Sequence, residues 1–290
     1  MPANKVALIT GGASGMGLEV AQALSKRGGW DIHLLDLNEE RGNAASAKVG
    51  GKFYKTNVNS YDNLASVFDQ IFKSTGRLDF VFANAGIVER WDFYGKHEQS
   101  PPPEPDLLSI DIDYKSVVTT SYLAQHYFRL SKDNYGTGEQ SLVMTASCGG
   151  FYPSPFSPMY AGAKHAVVGF MRSIAKAFYF NDKIRVNCIC PGTVKTNLLD
   201  SEAWKQFPDD YFTPVEKIAE VVLMLVDGGA MSDSKGNKVE AGSDYMRSVE
   251  INGTNHYFRD QIPYCDEKMA AVMKATDIID SGKGSFFNPK

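Results

Sequence analysis

The segment Thr10-Gly11-Gly12-Ala13-Ser14-Gly15-Met16-Gly17 constrains this chain more than any other. It follows the apolar run KVALIT (5–10) and precedes a stretch that places Leu18, Ala21 and Leu24 on one helical face. A short apolar run ending in glycines reads as a buried strand, and the spacing beyond it reads as a helix. Glycines at such a turn let the backbone approach a pyrophosphate, and the first N–H groups of the helix present a positive dipole end to the phosphates. Glycines alone only make turns; the placement between strand and helix is what gives them meaning. Gly11, Ser14, Gly15, Met16 and Gly17 are therefore the candidate phosphate-binding residues.

The same alternation continues along the chain. DIHLLD (31–36) reads as a strand, followed by a polar helix, KFYKT (52–56), a helix over 61–74 and LDFVFAN (78–84). The proline- and charge-rich ERWDFYGKHEQSPPPEP cannot form a regular element and makes a loop near 87–106. A helix over 107–130, the strand SLVMTAS (141–147), a helix over 158–180, the strand KIRVNCIC (183–190), a helix over 214–227 and the strand RSVEIN (247–252) complete the pattern. This rhythm implies an α/β chain with a parallel sheet covered on both faces. The expectation is one doubly wound Rossmann domain over residues 1–253, with a seven-stranded parallel sheet. Residues 254–290 read as a C-terminal extension with one helix near 263–279.

Composition narrows the function. With 290 residues, 43% hydrophobic and 22% charged, the chain is ordinary globular protein, long enough for a sizeable core. A net charge of −4 with scattered Lys and Arg argues against a nucleic-acid partner. No charged leader precedes an apolar h-region, and no apolar stretch reaches the ~18 residues of a spanning helix. The expected location is the cytoplasm, with no membrane span. Cys148, Cys188, Cys190 and Cys265 form no CxxC pair and read as reduced thiols. The five histidines lack metal-ligand spacing, so no metal is expected. Asn252-Gly253-Thr254 matches a glycosylation sequon, a weak pattern.

Asp36 closes the second strand. A carboxylate there can accept both ribose hydroxyls of an adenosine and would repel a 2′-phosphate, and Leu37 and Asn38 supply no cation. The local alternative is a turn or helix-cap role. NAD is thus favoured over NADP. Tyr160-Ala161-Gly162-Ala163-Lys164 puts a phenol and an ammonium on one helical face. A nearby ammonium favours the phenolate, and a positively charged nicotinamide adds to the effect. Tyr160 can then take the proton of an alcohol as hydride leaves. Ser147, at a strand end, can hydrogen-bond the substrate oxygen. Read singly, the Tyr–Lys pair is ordinary helix surface and the serine an ordinary turn residue; their combination with the glycine turn is what carries weight.

Together TGGASGMG, Asp36, Asn84-Ala85-Gly86, Ser147, YAGAK and Pro191-Gly192 with Thr196 resemble the short-chain dehydrogenase/reductase family, over about residues 4–253. The resemblance implies that Asn84, Ala85 and Gly86 line the cofactor site and that Lys164 also holds the nicotinamide ribose. It implies that Pro191, Gly192, Val194 and Thr196 embrace the nicotinamide end, and that Leu37, Asn57 and Val58 lie at the adenosine end. A substrate lid is implied near 195–212, as is a homodimer or homotetramer through the helices at 107–130 and 157–180. Within the family, YAGAKHAVVGFMRS and IRVNCICPGTVKTNLL are similar to NAD-dependent 15-hydroxyprostaglandin dehydrogenases. PPPEPDL resembles fungal members, which suggests secondary metabolism.

Two departures stand out. Where the family has an asparagine that anchors a relay water, this chain has Asp113, expected to accept the same hydrogen bond and to hold Lys164 as a cation. Where the family often has aspartate near the adenine, it has Asn57-Val58. The substrate wall is expected from Phe151, Tyr152, Pro153, Pro155, Phe156 and Met159, and from Leu198, Leu199, Trp204 and Phe207. The implied substrate is a hydrophobic secondary alcohol or ketone of lipid, terpenoid, polyketide or steroid type. The competing readings are an NADPH-dependent ketoreductase and a catalytically idle NAD-binding scaffold.

Overall fold

Strand β1 (Lys5–Thr10) shows how the sheet is built. Val6 and Leu8 pack into one apolar cluster while Ala7 and Ile9 pack into the other, and all four are buried. Successive side chains point to opposite faces, so a strand apolar at every position must be covered on both sides. A computed structural model describes residues 4–135, 140–198, 204, 205 and 207–280. In it β1, α1 (Gly15–Arg27), β2 (Trp30–Asp36), α2 (Glu39–Val49), β3 (Lys52–Lys55), α3 (Tyr61–Thr75) and β4 (Phe80–Ala83) follow in the expected alternation. A long irregular segment leads to a short turn, α4 (Leu108–Ile110), a π-helical segment (Asp111–Lys115) and α5 (Ser116–Tyr135). Then come β5 (Ser141–Thr145), α6 (Pro158–Asp182), β6 (Arg185–Pro191), α7 (Val215–Asp227), the small hairpin β7 (Met231–Ser232) and β8 (Lys238–Val239), β9 (Ser248–Asn252), β10 (Asn255–Phe258) and α8 (Glu267–Thr276).

The main sheet has the order β10-β9-β6-β5-β4-β1-β2-β3. The seven strands from β3 to β9 in that row run parallel, as the doubly wound reading requires. Helices α3, α5 and α6 cover one face through Phe68, Ile71, Phe128, Val167 and Met171. Helices α1, α2 and α7 cover the other through Val20, Leu24, Val49, Val222 and Leu225. The chain reverses between β1 and β4, so the crevice at the carboxyl ends of these strands is the place for a ligand in such a sheet.

An eighth strand was not expected. β10 pairs antiparallel with β9, with Asn255 opposite Asn252, so the first part of the expected extension belongs to the sheet. Gly253, with φ of 55°, opens the two-residue turn between them. Beyond β10, α8 buries no residue and is tied down by charge. Lys176 on α6 lies 2.7 Å from both Asp277 and Asp280, just past the end of α8.

The hydrogen bond from Lys176 holds the Asp277 carboxyl below its ordinary range. A group depressed in the folded state stabilises it above the unfolded carboxylate value, about 3.9, and loses that contribution as pH falls through the folded value. The protection of α8 against hydrogen exchange, relative to the intrinsic rate at each pH, should therefore fall on acidification below about pH 4, and in Lys176→Ala already at neutral pH. Protection of α8 that is indifferent to both changes would exclude the clamp.

Candidate active site

The glycine turn has the geometry its spacing demands. Gly11 sits at φ 65°, a region that side chains with a Cβ rarely adopt. A Cβ on Gly17 would collide with the Gly11 carbonyl oxygen, so only glycine lets the first turn of α1 pack against the loop. Helices α2 and α3 start with side-chain caps, Asn38 accepting from the Arg41 N–H at 2.9 Å and Ser60 from the Asn63 N–H at 3.3 Å. Helix α1 starts at Ser14 with neither a side-chain cap nor an acidic residue in its first turn. An anion suits that end of the helix.

A cleft of about 380 Å³ runs from this turn across the strand ends. Gly11, Ser14, Gly15, Met16, Asp36, Asn84, Ala85, Gly86, Asp113, Ser147, Tyr160, Lys164, Pro191, Gly192, Val194, Thr196, Leu198 and Trp204 all line it. Of the other expected site residues, Gly17 supports the turn from within α1 without lining the cleft. Leu37 is exposed, and Asn57 accepts the Asn59 N–H in a local turn. Val58 is buried in the core. Asp36 accepts N–H bonds from Ala13 at 3.1 Å and Asn38 at 3.0 Å. It thus does turn work while its carboxylate lines the cleft; Asn38, not Asp36, caps α2.

The expected substrate wall divides in two. Phe151, Tyr152, Pro153, Pro155, Phe156 and Met159 are not among the cleft-lining residues. Phe151 and Tyr152 stack beside the Arg259 guanidinium, Tyr152 donates to Glu250 at 3.0 Å, and Phe156 is 94% exposed. The apolar wall comes instead from Leu198, Trp204 and Phe207. Trp204 donates its indole N–H to the Thr196 carbonyl at 2.9 Å and packs on Phe207 and Phe212, which fixes this flap to the strand-end loop. Leu199, also expected there, lies outside the described residues.

A polar network braces the reacting end. The Thr10 hydroxyl accepts from the Asn84 and Ala85 N–H groups, and the Asn84 side chain bridges the Thr10 carbonyl and the Thr145 hydroxyl. Lys164 is 2% exposed. Its ammonium donates to the Thr145 carbonyl at 3.1 Å, lies 3.2 Å from Asp113 Oδ1, and sits 5.4 Å from the Tyr160 ring centre. Burial alone pushes the lysine down, but Asp113, by its charge and its hydrogen bond, is foremost in reversing this and holds it above its ordinary range as a cation. Burial pushes the Asp113 carboxyl up; Lys164 and the Ile87 N–H, which donates at 3.1 Å, oppose that. Asp113 sits on the π-helical segment, a form that often marks functional positions.

Several residues at the site escaped the sequence reading, Thr145, Cys148, Thr193 and Asn197 in the cleft wall among them, and two more bear on its charge and framework. Arg41 lines the same cleft as Asp36, although only positions 37 and 38 were searched for a cation. Glu89 reaches from the irregular segment to the start of α6, where one oxygen accepts the N–H groups of Met159 at 2.8 Å and Tyr160 at 3.0 Å. Ser157 gives no side-chain cap there, so Glu89 replaces it from about 70 residues away in sequence. No local pattern signals such a cap.

With that geometry in place the comparisons are decisive. The profile of the short chain dehydrogenase family matches residues 5–206. The chain belongs to this family. It is 50% identical over 286 residues to the short-chain dehydrogenase/reductase prx7 of Penicillium rubens, covering 94% of this chain and 100% of that one. It is 31% identical over 229 residues to the NAD(+) 15-hydroxyprostaglandin dehydrogenase of Macaca fascicularis, covering 76% and 79%. Among solved structures, a levodione reductase superposes with a TM-score of 0.68 at 24% identity, covering 86% and 96%. A 3-ketoacyl-(acyl-carrier-protein) reductase from Brucella melitensis complexed with NADH gives 0.69 at 19%, covering 86% and 97%. These two similarities concern the fold alone. The protein is an oxidoreductase of the short-chain dehydrogenase family, which uses a nicotinamide cofactor, and its glycine turn and uncapped α1 fit such a group. Among the described residues no helix is long and apolar enough to cross a membrane.

A carboxylate at a helix N-terminus contributes on the order of 1 kcal/mol. Glu89→Ala should lower the melting temperature by about 2–4 °C for a chain of this size and reduce activity through the misplaced start of α6. An unchanged melting curve would show that the two N–H groups do not need the carboxylate.

Proposed function

We propose that the protein transfers hydride between NAD and a secondary alcohol or ketone on a bulky hydrophobic substrate, with Tyr160 as general base and acid. The observation that carries this reading is one cleft shared by the glycine turn, Asp36, Ser147, Tyr160 and Lys164. A nicotinamide bound there supplies a hydride acceptor or donor. Asp36 offers its carboxylate to the adenosine ribose. The free N–H groups at the start of α1 take the phosphates, and Asn84, Ala85, Gly86, Pro191, Gly192, Val194 and Thr196 hold the nicotinamide half.

Ser147 donates its hydroxyl to the substrate oxygen while also accepting the Gly149 N–H at 3.1 Å, which orients its Oγ. Tyr160 removes the proton from that oxygen in oxidation and returns it in reduction. Lys164, fixed by Asp113 and the Thr145 carbonyl, keeps a positive charge beside the phenol. Leu198, Trp204 and Phe207 present apolar surface to the substrate and suit a lipid, terpenoid, polyketide or steroid skeleton better than a sugar. NAD dependence agrees with the relatives named for NAD(+). We further propose that the protein acts as a homo-oligomer in the cytoplasm.

Arg41 favours a second reading, an NADPH-dependent ketoreductase, because its guanidinium shares the adenosine end with Asp36. Tryptophan fluorescence titration with NAD and NADP separates the two. NAD should bind more tightly, and Asp36→Ala should weaken it by about tenfold or more, the effect of losing a charged hydrogen bond. Tyr160→Phe should keep NAD binding and abolish NADH formation from hydrophobic secondary alcohols. A preference for NADP that vanishes in Arg41→Ala would establish the second reading. Binding of NAD without turnover of any alcohol or ketone would leave a scaffold.

A further inference from the structure

We propose that Asp113 is a positioning residue that offsets the charge of Lys164 at the Tyr160 phenol, setting the site to donate a proton to a carbonyl oxygen rather than to take one from an alcohol. The inference rests on the catalytic reading of Tyr160 and adds to it the direction in which the site is protonically prepared.

The π-helical segment turns Asp113 into the cleft wall, where the side chain is fully buried. Oδ1 accepts the Ile87 N–H at 3.1 Å and lies 3.2 Å from the Lys164 ammonium; Oδ2 is buried without a hydrogen-bond partner. An asparagine could accept the same N–H, but it would add no charge. A lone ammonium beside a phenol favours the phenolate. An ammonium with a carboxylate 3.2 Å away is a neutral pair, whose field at the phenol is much weaker. Both side chains are almost wholly buried, so their charges are screened less than they would be at the surface.

The other ionisable groups around the pair do not take over this role. Cys190 on β6 faces Lys164, but burial pushes its thiol well above its ordinary range, so it carries no charge near neutrality. Cys148, after β5, lines the cleft beside Ser147. Glu89 adds a negative charge at the Tyr160 N–H, spent on the helix start. His165, next to Lys164 on α6, is bonded to the Ala161 carbonyl. Asp36 and Arg41 lie at the adenosine end. Of these, Asp113 is the one paired with Lys164.

In the reduction direction the Tyr160 O–H bond breaks and a new O–H bond forms on the substrate oxygen. The carbonyl carbon gains hydride from reduced nicotinamide, which is oxidised as the carbonyl is reduced, and the phenolate regains its proton from solvent. A phenol that faces a neutral ion pair instead of a lone ammonium is better prepared to give this proton than to take one.

The test needs no substrate. Ultraviolet difference titration of the ligand-free protein against its Tyr160→Phe variant isolates the ionisation of this one tyrosine. Asp113→Asn, read against Asp113→Asn/Tyr160→Phe, should move the midpoint down by about one pH unit, and Asp113→Glu should restore it. Removing both charges, in Asp113→Asn/Lys164→Gln, should return it close to the wild-type value; this keeps the test open if the single variant folds poorly. With NAD and an oxidisable alcohol, the pH profile of oxidation should shift down in Asp113→Asn by the same amount. A midpoint that stays fixed or rises in Asp113→Asn, or a double variant displaced as far as the single one, would overturn the proposal. A midpoint that follows Asp113 in a protein that turns over no alcohol or ketone would leave the electrostatics standing and sink the catalytic reading on which it builds. Turnover that depends on Tyr160 with a midpoint indifferent to Asp113 would do the reverse.

Discussion

Burial of the parallel sheet on both faces is the constraint on which the rest depends. β1, β4, β5 and β6 are buried along nearly their whole length, and helices must cover both of their surfaces. Polar chemistry is thereby expelled to the strand ends, where chain direction is shared. Parallel strands leave all their carboxyl ends on one side, so Gly11, Asp36, Asn84, Ser147 and Pro191 arrive at a single crevice although they are far apart in sequence. The site is a consequence of how the core is covered.

Within that crevice, function lies in polar groups that the fold has to satisfy as well. Thr10, Asn84 and Thr145 tie three neighbouring strand ends together by hydrogen bonds, and the Thr145 carbonyl also accepts from Lys164. A lysine buried to 2% exposure is costly unless it is paired. The Thr145 carbonyl and Asp113 supply that pairing, so stability and proton chemistry share one set of contacts. Removing one partner of such a buried pair leaves an uncompensated charge. This is why charge-conserving and double substitutions are more informative here than truncation.

The parts legible in the sequence are those with local signals. Glycine spacing after an apolar run located the turn at the head of the cleft, and the four-residue separation of Tyr160 and Lys164 placed them on one helical face. Strand periodicity found seven of the eight strands in the main sheet. β10 was missed because residues 254–290 read as an extension of mixed composition, whereas Gly253 opens a hairpin that returns the chain to the sheet. The aromatic run from Phe151 to Phe156 invited a substrate wall because it lies between Ser147 and Tyr160. Yet Tyr152 is bonded to Glu250 and Phe156 faces solvent, outcomes fixed by tertiary packing. Glu89 and Arg41 were illegible for a related reason. The cap joins residues distant in sequence, and the arginine enters the cleft from the second helix beyond the positions where a cation was sought.

The central claim is that one cleft brings a nicotinamide to Tyr160, with its adenosine held at Asp36. A crystal structure of the protein with NADH tests it most directly. The account predicts the adenosine ribose on the Asp36 carboxylate, the phosphates on the Gly11–Gly17 turn, and the nicotinamide between the Pro191–Val194 segment and Tyr160, with Lys164 at its ribose. A nicotinamide out of reach of the Tyr160 hydroxyl, or an adenosine ribose seated away from Asp36, would contradict it.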